Sequence, residues 1–160
     1  MTFQEIKNLV VAKLGEGTVK EIAPEGLQPV LEIPKERLLS IFEELYNNEK
    51  TFFDFLSNIT GIDNGAEKGT MEVVYNLYSI PYNHFLTAKV VLDRTAPEIP
   101  SVSDIWKTAN WHERETFDMF GIRFQRHPDL RRILLPNDWE GYPLKRDYKV
   151  QEFYHGIKVD

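Results

Sequence analysis

Residues 71–93 read MEVVYNLYSIPYNHFLTAKVVLD. In the second half Leu86, Ala88, Val90 and Leu92 alternate with positions that include Thr87, Lys89 and Asp93. A period of two with one apolar side predicts a half-buried antiparallel strand. The first half, MEVVYNLYSI (71–80), is rich in aromatic and β-branched residues and predicts a second strand. PYNH (81–84) supplies the hairpin turn between them. Just upstream, TFFDFLSNIT (51–60) has the same character and is set off by the glycine-bearing loop 61–70. Three strands in succession describe a meander.

The flanks of this meander are helical. Pro34 stands at a first helical turn, and Leu38, Ile41, Phe42, Leu45 and Tyr46 follow at helical spacing, predicting a helix to about Asn48. LQPVLEIP (27–34) predicts a further strand. Phe3, Ile6, Val10 and Leu14 form the stripe of an amphipathic helix over 3–14, stopped by Gly15 and Gly17. Beyond the meander, APEIP (96–100) breaks the pattern. Ser101 with Asp104 then reads as a capping box that opens a third helix, and Gly121 is placed to end it. The expected class is α+β: a mostly antiparallel sheet of about four strands with flanking helices.

HPDLRRILLPNDWEGYPLKRDY (127–148) differs in kind. Prolines at 128, 136 and 143 forbid one long helix and predict extended pieces joined by turns, NDWEG among them. Leu130, Ile133, Leu134, Leu135, Trp139, Tyr142 and Leu144 lie between those prolines. Segments so short and so apolar must lie against some surface. The expected organisation is an α+β core over 1–125 and an extended, proline-punctuated C-terminal arm over 126–160.

At 160 residues, with 42% apolar and 28% charged residues, the chain suits one folded domain with an appendage. It has no cysteine, which excludes disulfides, thiolate zinc sites, a cysteine nucleophile and cysteine-held iron–sulfur clusters. Redox chemistry would have to occur in a partner or on a bound cofactor. The N-terminal segment is charged and helically patterned rather than a signal peptide. No run of eighteen apolar residues encodes a membrane span, so the expected protein is soluble and cytoplasmic, reaching a membrane only through a partner. The net charge of −6 is unevenly placed: Arg126–Lys149 holds six basic against four acidic residues, leaving −8 for the rest. That asymmetry suggests a different neighbour for the C-terminal third.

The third helix carries the most informative stretch, ERETFDMFGIRF (113–124). At about 100° per residue, Val102, Trp106, Ala109, Phe117 and Phe120 share one sector, with Glu113 in its middle. A carboxylate there needs a partner. Glu113 and Glu115, two apart, point roughly 200° from each other and cannot share one proton or one substrate, which argues against a carboxylate enzyme. WHERET resembles a zinc-protease helix but has Thr116 where the second histidine belongs, and His84, His127 and His155 show no ligand spacing. The acidic total argues against nucleic acid. Arg131 and Arg132 are expected to supply counter-charges to carboxylates, Glu113 first among them, so that Glu113→Gln should destabilise. Trp111 and Met119 lie with Glu115 on the side away from the core, to be covered by the arm or by another protein. The candidate structural or partner-contact residues are Trp111, Glu113, Arg114, Glu115, Asp118 and Met119 on the helix, and His127, Arg131, Arg132, Trp139 and Arg146 on the arm.

ERETFDMFGIRF and HPDLRRILLPNDWEGYPLKRDY resemble the signature of the 30-kilodalton (C-type) subunit of the proton-pumping NADH–quinone oxidoreductase, respiratory complex I. Two departures stand out. Gln125 and Arg126 precede His127 where the family often has a glycine, and Lys149 follows Tyr148 where proline is usual. The resemblance implies a subunit of the hydrophilic arm with no catalytic, cofactor or metal residue of its own. FMN, iron–sulfur clusters, NADH and quinone would belong to partner subunits. The chief neighbour would be the quinone-cavity subunit, of the 49-kilodalton (D-type) kind, and the position peripheral, on the cytoplasmic face of the cell inner membrane. The motif alone does not separate this from the equivalent subunit of a related membrane-bound hydrogenase or deazaflavin-linked dehydrogenase.

Overall fold

The computed structural model describes residues 1–17, 19–22 and 28–159. The chain begins with α1 (Phe3–Leu14), β1 (Lys20–Ile22) and β2 (Val30–Glu32), followed by a 3₁₀ turn (Lys35–Arg37) that leads into α2 (Leu38–Asn47). The meander is β3 (Phe55–Asp63), β4 (Thr70–Ser79) and β5 (His84–Asp93). After it come β6 (Glu98–Pro100), α3 (Ala109–Phe120), β7 (Arg123–Gln125), β8 (Phe153–Tyr154) and β9 (Ile157–Lys158).

The alternation in 71–93 sets the main sheet. Tyr75 stands opposite Ala88, and Met71, Val73, Tyr75, Leu77, Leu86, Ala88, Val90 and Leu92 all turn to one buried face. The strand order is β1-β2-β5-β4-β3, antiparallel except for the parallel pair β2–β5. About four strands were expected; the fifth is three-residue β1, too short to show a period. Ile6 and Val10 of α1 and Leu38, Ile41, Phe42 and Leu45 of α2 join the same core. Each such side chain taken out of water contributes about 1.5–3 kcal/mol. Rings fix the layer spacing: Phe42 meets Tyr75 edge-on at 5.0 Å and Trp106 at 5.4 Å.

Three boundaries differ from the sequence pattern. β3 starts at Phe55 rather than Thr51, because the Thr51 hydroxyl (2.9 Å) and the Phe53 N–H (3.0 Å) both donate to the Leu45 carbonyl and close the end of α2. The strand expected over 27–34 is seen at Val30–Glu32, and its first residue, Leu27, lies outside the described residues. The third helix does not open at Ser101. It begins at Ala109, and residues 101–108 form turns. Ser101 serves Glu113 instead of capping a helix, and the Trp106 indole N–H donates to the Phe53 carbonyl at 2.9 Å. Val102 and Trp106 are still buried, but from a loop.

Gly121 ends α3 as expected. It takes a left-handed φ of 76°, and its N–H donates to the Phe117 carbonyl at 2.8 Å. A Cβ at this position would come within 2.7 Å of the Tyr142 ring, so the same glycine admits the arm. Arg126 is also left-handed, with φ 63°. An L side chain is strained there. Arg126→Gly should raise the stability of the chain by about 1 kcal/mol, seen as a higher urea midpoint at unchanged m value. No described helix is long and apolar enough to cross a membrane.

Candidate functional site

Between Gln125 and Phe153 the chain has no helix or strand, yet it is fastened to the core by two buried carboxylates. The first is Asp118 of α3, 0% exposed. One of its oxygens accepts the backbone N–H groups of Ile133, Leu134 and Leu135 at 3.0, 2.7 and 3.0 Å. The other accepts Arg132 Nη1 at 2.7 Å. Arg132 also donates to the carbonyls of Trp139 and Gly141, both at 2.8 Å, and lies over the Tyr142 ring. Burial pushes the Asp118 carboxyl up, but the Leu135 N–H, Arg132 and the two further N–H groups outweigh it, so the group is held below the usual carboxylate range.

The second fastening is Asp63, at the end of β3. It accepts Arg94 through both oxygens (2.7 and 3.0 Å), the Gly65 N–H (2.9 Å) and the Arg146 N–H (2.9 Å). Arg146 Nε donates to the Asp63 carbonyl at 2.9 Å, and Arg94 reaches on to Asp147 at 2.6 Å. Arg94 above all, and then the two N–H groups against the effect of burial, hold Asp63 well below its ordinary value. Sequence reasoning named Arg146 but missed Asp63 and Arg94. Asp63 ends a strand just before a turn, and nothing in the local pattern ties it to a residue 83 positions away.

Glu113 is buried, as its position on the apolar stripe requires, but no arginine holds it. Its carboxylate accepts the Ser101 hydroxyl at 2.6 Å and the Val102 N–H at 2.7 Å. Both arm arginines are engaged elsewhere: Arg132 on Asp118, and Arg131 on exposed Asp129 at 2.8 Å, a pair that contributes little. His127 Nε2 lies 3.9 Å from a Glu113 oxygen, a contact that is ionic only when the ring is protonated. The ring also places Nε2 3.1 Å from the Asn110 carbonyl, and its Nδ1 accepts the Asp129 N–H at 3.0 Å. Burial pushes the Glu113 carboxyl up to about 7, against its two hydrogen bonds. The buried Tyr75 phenol, with no hydrogen-bond partner among the described residues, is pushed up by burial and then by the Glu113 charge.

The outward side of α3 is of another character. Trp111, Glu115 and Met119 are spaced by four and form one stripe: Trp111 is 65% exposed, Glu115 exposed and Met119 half-buried. Arg114 donates to the carbonyls of Arg131 (3.2 Å) and Arg132 (3.1 Å), bracing the arm, with its guanidinium 5.7 Å from the Trp111 ring. The Leu144 N–H donates to the Met119 carbonyl at 3.0 Å. Trp139 is held by its indole N–H on the Tyr148 hydroxyl (3.0 Å) and by the Tyr154 ring. The arm therefore covers the Asp118 side of α3 and leaves Trp111 bare, with Leu134 and Leu144 also exposed.

The buried carboxylates are occupied by donors. The hollow of about 410 Å³ beside Ser101 is lined by Leu39, Glu43, Asp104 and Arg126, among others, and Glu113 is not on its wall. Among the described residues no three histidine, aspartate or glutamate side chains gather as a metal site.

The sequence profile of the family described as respiratory-chain NADH dehydrogenase, 30 Kd subunit, matches residues 31–154, an interval that takes in the meander, α3 and the fastened arm. The chain belongs to this family. Among members of the 30 Kd subunit family, the C-type subunit of the NADH-quinone oxidoreductase of Chloroherpeton thalassium is 54% identical over 113 residues, which is 70% of this chain and 46% of that relative. The chain thus spans less than half of that relative's length. The C-type subunit of the Moorella thermoacetica enzyme is 44% identical over 128 residues, covering 79% of this chain and 84% of the relative. Of solved structures, the trypsin-resistant fragment (1-134) of Nqo5 is similar with a TM-score of 0.64 at 28% identity, over 81% of this chain and 100% of the fragment. A chain of the membrane-bound sulfane sulfur reductase, described as an archaeal respiratory membrane complex, has a TM-score of 0.74 at 21% identity over 91% of this chain and 85% of that one. The latter likeness is one of fold.

Proposed function

We propose that this chain is a non-catalytic, cofactor-free subunit of the hydrophilic arm of a proton-pumping NADH:quinone oxidoreductase. It docks on the quinone-site subunit, of the 49-kilodalton (D-type) kind, through the outer stripe of α3 and the arm. In this reading the core is 1–125, and the arm, 126–160, is the piece that reaches the neighbour. FMN, iron–sulfur clusters, NADH and quinone reside in other subunits. The complex holds the chain peripherally at the cytoplasmic face of the inner membrane.

The observation that carries the reading is Trp111. A large ring left 65% exposed on a helix of the family's signature, braced by Arg114 and flanked by exposed arm leucines, has the composition of an interface anchor. Trp111→Ala should leave the melting temperature of the isolated chain unchanged, because the ring is outside the core. It should reduce recovery of partner subunits on a tagged chain by roughly tenfold or more, as for a truncated hot spot. Normal recovery with Trp111→Ala would place the docking face elsewhere.

A second reading is the equivalent subunit of a related membrane-bound hydrogenase or deazaflavin-linked dehydrogenase, which the family signature alone does not separate from the first. The purified complex decides: NADH-dependent quinone reduction supports the first reading, and electron transfer only from hydrogen or a reduced deazaflavin supports the second.

A further inference from the structure

The ring of His127 stands between two acceptors. Its Nε2 is 3.1 Å from the Asn110 carbonyl and 3.9 Å from an oxygen of Glu113, and the His127 and Glu113 side chains are both fully buried. The two acceptors are unequal. Asn110 lies in the first turn of α3, so its carbonyl also has the N–H of Arg114, four residues on, as a helical donor. An ionised carboxylate is the stronger acceptor, since a charge-assisted hydrogen bond is roughly twice as strong as a neutral one. On its other side the ring holds the root of the arm, where Nδ1 accepts the Asp129 N–H at 3.0 Å. Closing 3.9 Å to a charged hydrogen bond of about 2.8 Å moves the rigid ring by roughly 1 Å and draws Nδ1 away from Asp129.

The other charged and titratable neighbours leave the Glu113 charge to this ring. Asp104, in the turn before α3, has the same sign and raises Glu113 further, and its own partner is Lys107, at the surface with it. Tyr75 of β4 brings a buried phenol with no hydrogen-bond partner among the described residues. Arg114 is engaged with the carbonyls of Arg131 and Arg132, and Arg132 with Asp118. His112 and Glu115 leave α3 at about 100° and 200° from Glu113. Among the described residues, His127 is the only basic group within 4.0 Å of the Glu113 carboxylate. Ser101 donates to that carboxylate at 2.6 Å and also lines the hollow of about 410 Å³, together with Glu43 and Arg126. One hydroxyl thus separates the buried carboxyl from the hollow, which gives its proton a route.

We propose that Glu113 and His127 form a proton-operated latch at the root of the arm, in which Nε2 donates to whichever acceptor is stronger. Protonated, Glu113 leaves the ring on the Asn110 carbonyl with the Asp129 N–H held at Nδ1, the arrangement in the structure. Ionised, it takes over the hydrogen bond from Nε2, and the Asp129 N–H is released. The root of the arm is therefore fastened at low pH and loosened at high pH, whichever partner the arm meets. Nitrogen-15 NMR of the full chain from about pH 5.5 to about pH 8.5 tests the latch. The expected result is one step, centred at about 7, in which the Asp129 amide and the His127 Nε2 resonance move together. Exchange of that amide should accelerate roughly fivefold beyond its intrinsic pH dependence, as for one lost hydrogen bond. Glu113→Gln abolishes the step. Ser101→Ala, which removes a hydrogen bond favouring the charged form, moves it to higher pH, and Tyr75→Phe leaves it in place. Four results each overturn the latch: no step at all, a step unmoved in Ser101→Ala, a step that survives in Glu113→Gln and so belongs to the ring's own titration, or a step lost in Tyr75→Phe, which makes the phenol the responding donor.

Discussion

Asp118→Ala lowers the melting temperature of the chain by roughly 10–15 °C and releases residues 131–146 to protease. One carboxylate, 0% exposed, gathers three consecutive backbone N–H groups and a guanidinium. Removing it leaves those donors facing a methyl group, and breaking a buried pair of this kind costs about 3–5 kcal/mol. The arm then loses one of its two fastenings, and the bonds at Arg131, Arg132 and Lys145 become accessible to trypsin. Asp118→Asn should fall between, because one amide oxygen still accepts while its NH₂ faces donors. Asp129→Ala, which removes only the exposed partner of Arg131, should change little. Calorimetry with limited proteolysis checks the series, and equal melting temperatures for Asp118→Ala and Asp129→Ala would contradict it.

Glu113→Gln should remove a pH dependence rather than a stabilising pair. In the unfolded chain this carboxyl titrates near its ordinary 4.5, and burial raises it to about 7 in the folded protein. Between those values the folded state keeps a proton that the unfolded state has released. The resulting stabilisation is full below pH 4.5 and is lost as pH rises through about 7, a change of roughly 3 kcal/mol. Glutamine preserves the shape: its oxygen can accept the Val102 N–H, and its NH₂ can donate to Ser101, whose hydroxyl turns toward Ser103 at 2.8 Å. The variant should therefore resemble wild type near pH 5 and exceed it at pH 8.5. Urea midpoints at the two pH values measure this, and parallel wild-type and variant profiles would refute it. Asp118 and Asp63 act in the opposite sense. Their depressed values contribute stability above the ordinary aspartate range that is lost as pH falls below it.

What could be read from the sequence follows from how far each cause lies along the chain. The hairpin 71–93 and α1 are written in local period, and the sheet and the helix appear where that period places them. Gly121 was legible because a helix end needs a left-handed residue nearby. The start of α3 was not, since Ser101 followed by Asp104 has the local form of a capping box, while the real partner of Ser101 is Glu113, twelve residues on. The arm shows the same limit. Its arginines announce a carboxylate partner, and one is there, but choosing Asp118 over Glu113 depends on how the chain turns at residues 133–135. The expected loss of stability in Glu113→Gln rested on that wrong address and is replaced by the pH prediction above. The Asp63–Arg94–Arg146 cluster joins three distant segments and has no local signature.

The most direct test is purification of the tagged wild-type chain from its native membrane under mild detergent, with identification of every polypeptide that accompanies it. A stoichiometric quinone-site subunit is expected in the preparation, together with the flavin- and cluster-bearing subunits, and NADH-dependent quinone reduction by the whole. Recovery of the chain alone, as a monomer without those partners, would contradict it.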